Sequence, residues 1–120
     1  TWNEKYGRVI DAVYTDLGKT CSVYEEEPVS VPKEAEYVYL KAEVRGISYW
    51  YLYSFDGKLW ERVPYRFDSA KLSQEYIKAV YDAAFTGAFV GMFSTDGLGT
   101  KLPADFDYFI YKELPEEGLR

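Results

Sequence analysis

The 120 residues contain no histidine, one cysteine and one methionine. Without imidazole there is no Ser-His-Asp or Cys-His relay, and no His-ligated metal. A single thiol, Cys21, can close no internal disulfide and build no thiolate cluster. Its neighbours in "KTCSVYEEE" offer one lysine against three glutamates, a setting ill suited to a nucleophilic thiolate, so it reads as an ordinary strand residue. Basic residues are also in deficit: 14 Lys and Arg face 20 Asp and Glu, a net charge of −6. No basic stripe is available to neutralise phosphates, which argues against nucleic acid and against an anionic membrane surface. No apolar run reaches membrane-spanning length and no signal-peptide pattern opens the chain, so a cytoplasmic location is expected over a secreted one. Because residue 1 is Thr rather than Met, an N-terminal part is expected to be missing.

What the chain does have is apolar and aromatic content. Apolar residues make up 48% and aromatics 19%, enough for one domain with a real core and against disorder. Folding a chain of this size buries roughly two-thirds of its unfolded surface. Period-two alternation dominates the pattern. "GRVIDAVYTD" (7–16) reads as a strand ending at the Gly-containing turn "DLGK", and "TCSVYEEE" (20–27) as a second strand. "PVSVPKEAE", with two prolines, is a connection or an edge. In "YVYLKAEV" (37–44), Val38, Leu40, Ala42 and Val44 share one face and Tyr37, Tyr39, Lys41 and Glu43 the other, the pattern of a half-buried antiparallel strand.

The next stretch, "RGISYWYLYSFDGKLWERV" (45–63), sets Ile47, Tyr49, Tyr51, Tyr53 and Phe55 on one face and Ser48, Trp50, Leu52 and Ser54 on the other. Asp56-Gly57 predicts a type I′ hairpin turn. From 67 to 84 the alternation breaks, with Asp68 or Ser69 as cap of a short helical turn. It resumes over "FTGAFVGMFSTDG" (85–97) and, after a Gly-rich turn, over "ADFDYFIY" (104–111); residues 113–120 form a solvated tail. Short strands, turn signals and little helix predict an all-β antiparallel two-sheet sandwich in a single domain, residues 1–112.

Beyond "SFDGKLW" (54–60), which a hairpin with Trp60 packed back over its turn explains, two features invite a chemical reading. Asp105 and Asp107 sit two apart in "PADFDYFIY", which on a strand separates their Cα atoms by about 6.7 Å. That lies inside the roughly 6.5–9.5 Å of an inverting glycosidase pair. Strand neighbours stand side by side, however, whereas a catalytic pair flanks the scissile bond from opposite sides. A calcium site is the second reading, since neighbouring carboxylates and loop carbonyls suit a hard cation, but two carboxylates alone do not establish one. The pair is therefore expected to be an edge or solvent-facing pair, and no residue is assigned catalysis or metal ligation. The second feature is "YWYLY". A sugar can stack on an exposed ring, yet a small sandwich needs most of its aromatics as core. Tyr49, Tyr51 and Tyr53 are read as an inner row and Trp50 as the ring facing the other way, a candidate for a sugar or domain contact.

"FTGAFVGMFSTDGLGTKLPADFDYFIY" (85–111), together with "VYLKAEVRGISYWYLYSFDGKLW" (38–60) and "NEKYGRVIDAVYTD" (3–16), resembles the C-terminal domain of family 43 glycoside hydrolases of the β-xylosidase and α-L-arabinofuranosidase type. The resemblance implies a concanavalin A-like jelly roll that follows a five-bladed propeller carrying all three catalytic carboxylates, with calcium often in that propeller and an inverting reaction. It implies that this chain, lacking those carboxylates and needing no cofactor of its own, is an accessory domain of an enzyme acting on xylo-oligosaccharides or arabinosides. It further implies that the opening strands of the sandwich are missing here, leaving an apolar face for the propeller, those strands or a homo-oligomeric copy to cover. In such xylosidases a loop of this domain places an aromatic over the sugar pocket, and the matching position is Phe85, whose alternative is the first core residue of its strand. The rival readings are a free-standing carbohydrate-binding module and a purely structural or oligomerisation domain.

Overall fold

The computed structural model describes residues 1–72, 90–97, 99, 101 and 103–113. Among these residues nine short strands follow one another: β1 (Trp2–Asn3), β2 (Gly7–Ile10), β3 (Val13–Asp16), β4 (Lys19–Ser22), β5 (Val29–Ser30), β6 (Tyr39–Arg45), β7 (Ser48–Ser54), β8 (Glu61–Arg62) and β9 (Phe67–Asp68). A single 3₁₀ turn, Ser69–Leu72, comes next. Every pairing is antiparallel. The strands group as β1-β2-β5, the hairpin β3-β4, and a sheet β6-β7-β8 in which β9 also pairs with β7. The all-β antiparallel class expected from the alternation is what forms.

Local chemistry explains where the strands begin and end. Leu17 and Gly18 both have positive φ (52° and 76°), the type I′ geometry that joins β3 to β4 through two residues. The strand expected over 7–16 is broken in two at Asp11–Ala12. There the Asp11 carboxylate accepts the Ala12 amide at 2.8 Å and the Ser22 hydroxyl at 2.6 Å, local bonds that compete with a ladder. Asp68 caps the 3₁₀ turn as expected, its carboxylate accepting the Ala70 amide at 2.9 Å. β5, the proline-flanked segment, is an edge of two residues.

The core is aromatic and centres on Phe67, only 4% exposed. Its ring stacks on Tyr49 with centroids 4.9 Å apart and meets Tyr65 and Tyr51 at 4.7 and 4.9 Å. Tyr14 of β3 reaches it edge-on at 6.1 Å. Burial, and next the neighbouring Tyr51, push the Tyr49 phenol up to about 12. Tyr49 and Tyr51 thus join one aromatic cluster with Phe67 of the neighbouring β9, while Tyr53 pairs with Phe55 at 5.6 Å.

Three expectations fail. The Asp56-Gly57 turn is not type I′, because only Gly57 has positive φ (77°) and β7 and β8 are separated by residues 55–60. The Asp56 side chain explains why: it caps a longer loop instead of yielding to a two-residue turn. No strand forms over 90–97 or 103–113, although both carry strand-like sequence. A strand exists only through a hydrogen-bonded neighbour, and none of the paired strands runs beside these segments. Phe93, Phe106, Tyr108 and Ile110 are exposed there. Finally, the apolar face of β6 is open rather than half-buried: Leu40 is 71% and Val44 52% exposed. They share their face with Tyr53 and Tyr49 across the ladder, but Phe67 packs only against Tyr49 and Tyr51 of β7.

Candidate functional site

The opposite face of the β6–β7–β8 sheet carries Tyr39, Lys41, Glu43 and Arg45 from β6 and Trp50 and Leu52 from β7. Trp50 stands opposite Glu43 in the ladder and is half-buried. The Arg62 guanidinium lies 5.0 Å from the centroid of its ring. Lys41 Nζ lies 4.3 Å from the Trp60 ring centroid and 3.4 Å from Glu43 Oε1, and Arg45 reaches Glu43 Oε2 at 3.9 Å. Tyr39 meets Trp60 edge-on at 6.5 Å. Both tryptophans thus hold a cation near the ring, an arrangement worth about 0.5–1 kcal/mol at an exposed position. A sugar stacking on Trp50 from that side displaces Arg62, so the ring suits a packed contact better than an open sugar platform.

A shallow cleft of about 420 Å³ lies at the end of β7, lined by Tyr53, Phe55, Asp56, Leu59 and Glu61. Its chemistry is structural at Asp56. Oδ1 accepts the amides of Lys58 at 2.7 Å and Leu59 at 2.9 Å and the Ser54 hydroxyl at 3.0 Å. These donors, led by the Leu59 amide, hold the carboxyl below its ordinary value. Ser54, 2% exposed, in turn accepts the Gly57 amide at 2.8 Å through Oγ. An ionised carboxylate tied to its own loop is no general acid at neutral pH. Ser54, Lys41 and Arg62 were not singled out from the sequence. The signal for Ser54 was the S-x-D-G spacing, in which a hydroxyl and a carboxylate can cap one loop together.

Asp105 and Asp107 are exposed and lie in a segment without ladder bonds, so the strand that was to hold them side by side is not formed. Among the described residues no group of three or more His, Cys, Asp or Glu is arranged to hold a metal. Cys21, half-buried on β4, sits opposite Tyr14. Phe85 lies outside the described residues. No described cluster combines a nucleophile, a base and an open pocket.

Comparison with known proteins places the chain in a family. The model of the β-xylosidase C-terminal concanavalin A-like domain matches residues 1–112. A protein of Escherichia coli (strain K12) is 40% identical over 113 residues, which are 94% of this chain and 21% of that protein. The beta-xylosidase of Bacillus subtilis (strain 168) is 38% identical over 113 residues, again 94% of this chain and 21% of the relative. Xylosidase/arabinosidase 43B of Humicola insolens is 35% identical over 94 residues, 78% of this chain and 17% of the relative. The chain spans about a fifth of the length of these relatives. With a family match over residues 1–112 and antiparallel pairing in every described sheet, the chain belongs to the family of β-xylosidase C-terminal concanavalin A-like domains.

Proposed function

We propose that this chain is the non-catalytic accessory sandwich of a xylan-degrading glycosidase of β-xylosidase or α-L-arabinofuranosidase type. The observation that carries the reading is the match of residues 1–112 to a domain that occupies only a fifth of its xylosidase relatives. The catalytic carboxylates belong, on this reading, to a propeller domain of the same protein, as does any calcium. The exposed apolar face at Leu40 and Val44 supports the role, since an accessory domain needs a surface on which a neighbouring module can pack. Phe85 closes one end of the sugar pocket, which favours a short substrate trimmed from a chain end. Trp50 belongs to a domain contact.

A chimera tests this. Residues 1–112 replace the matching 113 residues of the Bacillus subtilis beta-xylosidase, and activity is measured on an aryl xyloside and on xylobiose. The chimera is expected to hydrolyse both, and Phe85→Ala in it to lower kcat/KM about tenfold or more by opening the pocket to water. The 120 residues alone are expected to release no pentose and to show flat tryptophan fluorescence against xylo-oligosaccharides. Quenching in that titration favours a free-standing binding module. Unchanged kcat/KM in the Phe85→Ala chimera favours a purely structural domain.

A further inference from the structure

Pro32 has no amide to donate, so the pairing of β2 with β5 cannot run on past Val31. The carbonyls that follow need donors from elsewhere. Arg8 of β2 holds this stretch in two ways. Its backbone carbonyl accepts the Val31 amide at 2.9 Å, one step beyond the register that sets Val9 against Ser30. Its side chain then reaches further along: Nη2 donates to the Pro32 and Lys33 carbonyls, both at 3.0 Å, and Nη1 to the Ala35 carbonyl at 3.4 Å. The Pro32 carbonyl also accepts the Ala35 amide at 3.1 Å, which closes a turn over residues 32–35 and uses both lone pairs of that oxygen. Three carbonyls of one turn thus converge on one planar cation that lies 24 to 27 residues away along the chain.

We propose that the Pro32, Lys33 and Ala35 carbonyls form a guanidinium site, and that Arg8, seated in it, latches the turn onto β2. The latch fixes where the chain leaves the β1-β2-β5 sheet for the main one. Only residues 36–38 separate the turn from Tyr39, where β6 begins, so holding the turn also holds the entry into that strand. The donor geometry selects the cation. A guanidinium carries its N–H groups on separate nitrogens of a rigid plane, so one nitrogen can serve two carbonyls while the next serves the third. A lysine ammonium concentrates its donors on one atom at the end of a flexible stem and cannot reproduce that spread. The acceptors are neutral carbonyls, so the contact depends on the direction of the donors rather than on a partner of opposite charge. The latch rests on contacts between Arg8 and residues 31–35, and it stands whether or not the accessory-domain reading holds.

Amide hydrogen exchange of the 120-residue chain, read by NMR, tests the latch, with far-UV circular dichroism to verify folding. The Ala35 amide reports the turn, and the Val63 amide, bonded to the Tyr51 carbonyl, reports the main sheet. Arg8→Ala is expected to speed exchange at Ala35 about fivefold or more and to leave Val63 within about twofold. Arg8→Lys, which keeps the charge and most of the stem, should behave like Arg8→Ala. Guanidinium chloride at roughly tens of millimolar, far below the molar range in which it unfolds proteins, should restore protection at Ala35 in Arg8→Ala. Ammonium chloride at the same concentration should not. Protection gained from a denaturant is the reverse of its usual effect, so mere loosening of the fold cannot produce it. Arg8→Thr, a better strand former than alanine, carries the same two salts through if Arg8→Ala does not fold. Unchanged exchange at Ala35 when Arg8 is removed overturns the proposal. So does full protection in Arg8→Lys, and so does a guanidinium rescue that is absent or no greater than that by ammonium.

Discussion

Phe67→Ala is the substitution that most directly tests the aromatic core. The ring is 4% exposed and lies within 5 Å, centroid to centroid, of Tyr49, Tyr51 and Tyr65. Truncating a buried Phe costs about 3–5 kcal/mol, combining lost transfer energy with the cavity left behind. Each of the three close ring pairs accounts for about 0.5–1.5 kcal/mol beyond area, and since they share one ring their losses overlap and do not simply add. Around Phe67 few apolar side chains are fully buried, Val9, Ala12 and Val63 being the others among the described residues, so a loss of about 4 kcal/mol is a large share of a domain's usual 5–15 kcal/mol. Urea unfolding followed by tryptophan fluorescence should place the midpoint of Phe67→Ala far below wild type, with Tm lowered by roughly 10 °C or more. Val44→Ala, on the open face, should change stability by less than about 0.5 kcal/mol. If the two variants unfold together, Phe67 does not organise the core.

Other expectations concern protons and backbone. Tyr49 is raised to about 12, so its neutral form is favoured in the folded state. That stabilisation is complete below the ordinary phenol value near 10 and is lost as pH rises from 10 through 12. Tyr49→Phe should therefore flatten the alkaline limb of a Tm–pH curve and remove the latest-titrating tyrosinate absorbance. Asp56 is lowered, so its contribution is full above about pH 4 and disappears as pH falls through its folded value. Asp56→Asn should flatten the acid limb, and hydrogen exchange should accelerate at the Lys58 and Leu59 amides. Gly57→Ala places a Cβ at 3.3 Å from a Tyr39 ring carbon and forces φ 77° on a residue with a side chain. A loss of about 1–2 kcal/mol is expected, measurable by urea melts.

Alternation was the most legible signal, because a period of two assigns faces whether or not a partner is present. The division of β6 and β7 into faces was readable for that reason, and so was the shared face of Tyr49, Tyr51 and Tyr53. What alternation cannot report is which face is covered. That depends on residues far along the chain: Phe67, from a stretch read as a break in the pattern, packs beside Tyr49 and Tyr51, while Leu40 and Val44 stay open. Turn type was only partly legible. Leu17–Gly18 formed the two-residue turn despite a leucine at positive φ, while Asp56-Gly57, with the better turn residues, did not. The Asp56 carboxylate had a buried hydroxyl and two amides to satisfy, and those bonds outweighed the dipeptide preference. At the candidate site Trp50 was legible from its face, but Arg62 and Lys41 were not, since a cation meets a ring only after the strands have paired.

The two faces of the main sheet differ in how complete they are, and this bears on what engages each. On the Trp50 face Arg62 and Lys41 lie by the rings, and Glu43 answers the charges of Lys41 and Arg45. A ligand arriving there displaces interactions already made. On the β6 half of the other face nothing is displaced: Leu40 and Val44 are in water, and each buried CH₂ there returns about 0.8 kcal/mol. A macromolecular surface, broad and apolar, matches that deficit; a hydroxyl-rich sugar does not. On the proposed reading, a neighbouring module therefore gains most by packing on the Leu40–Val44 side.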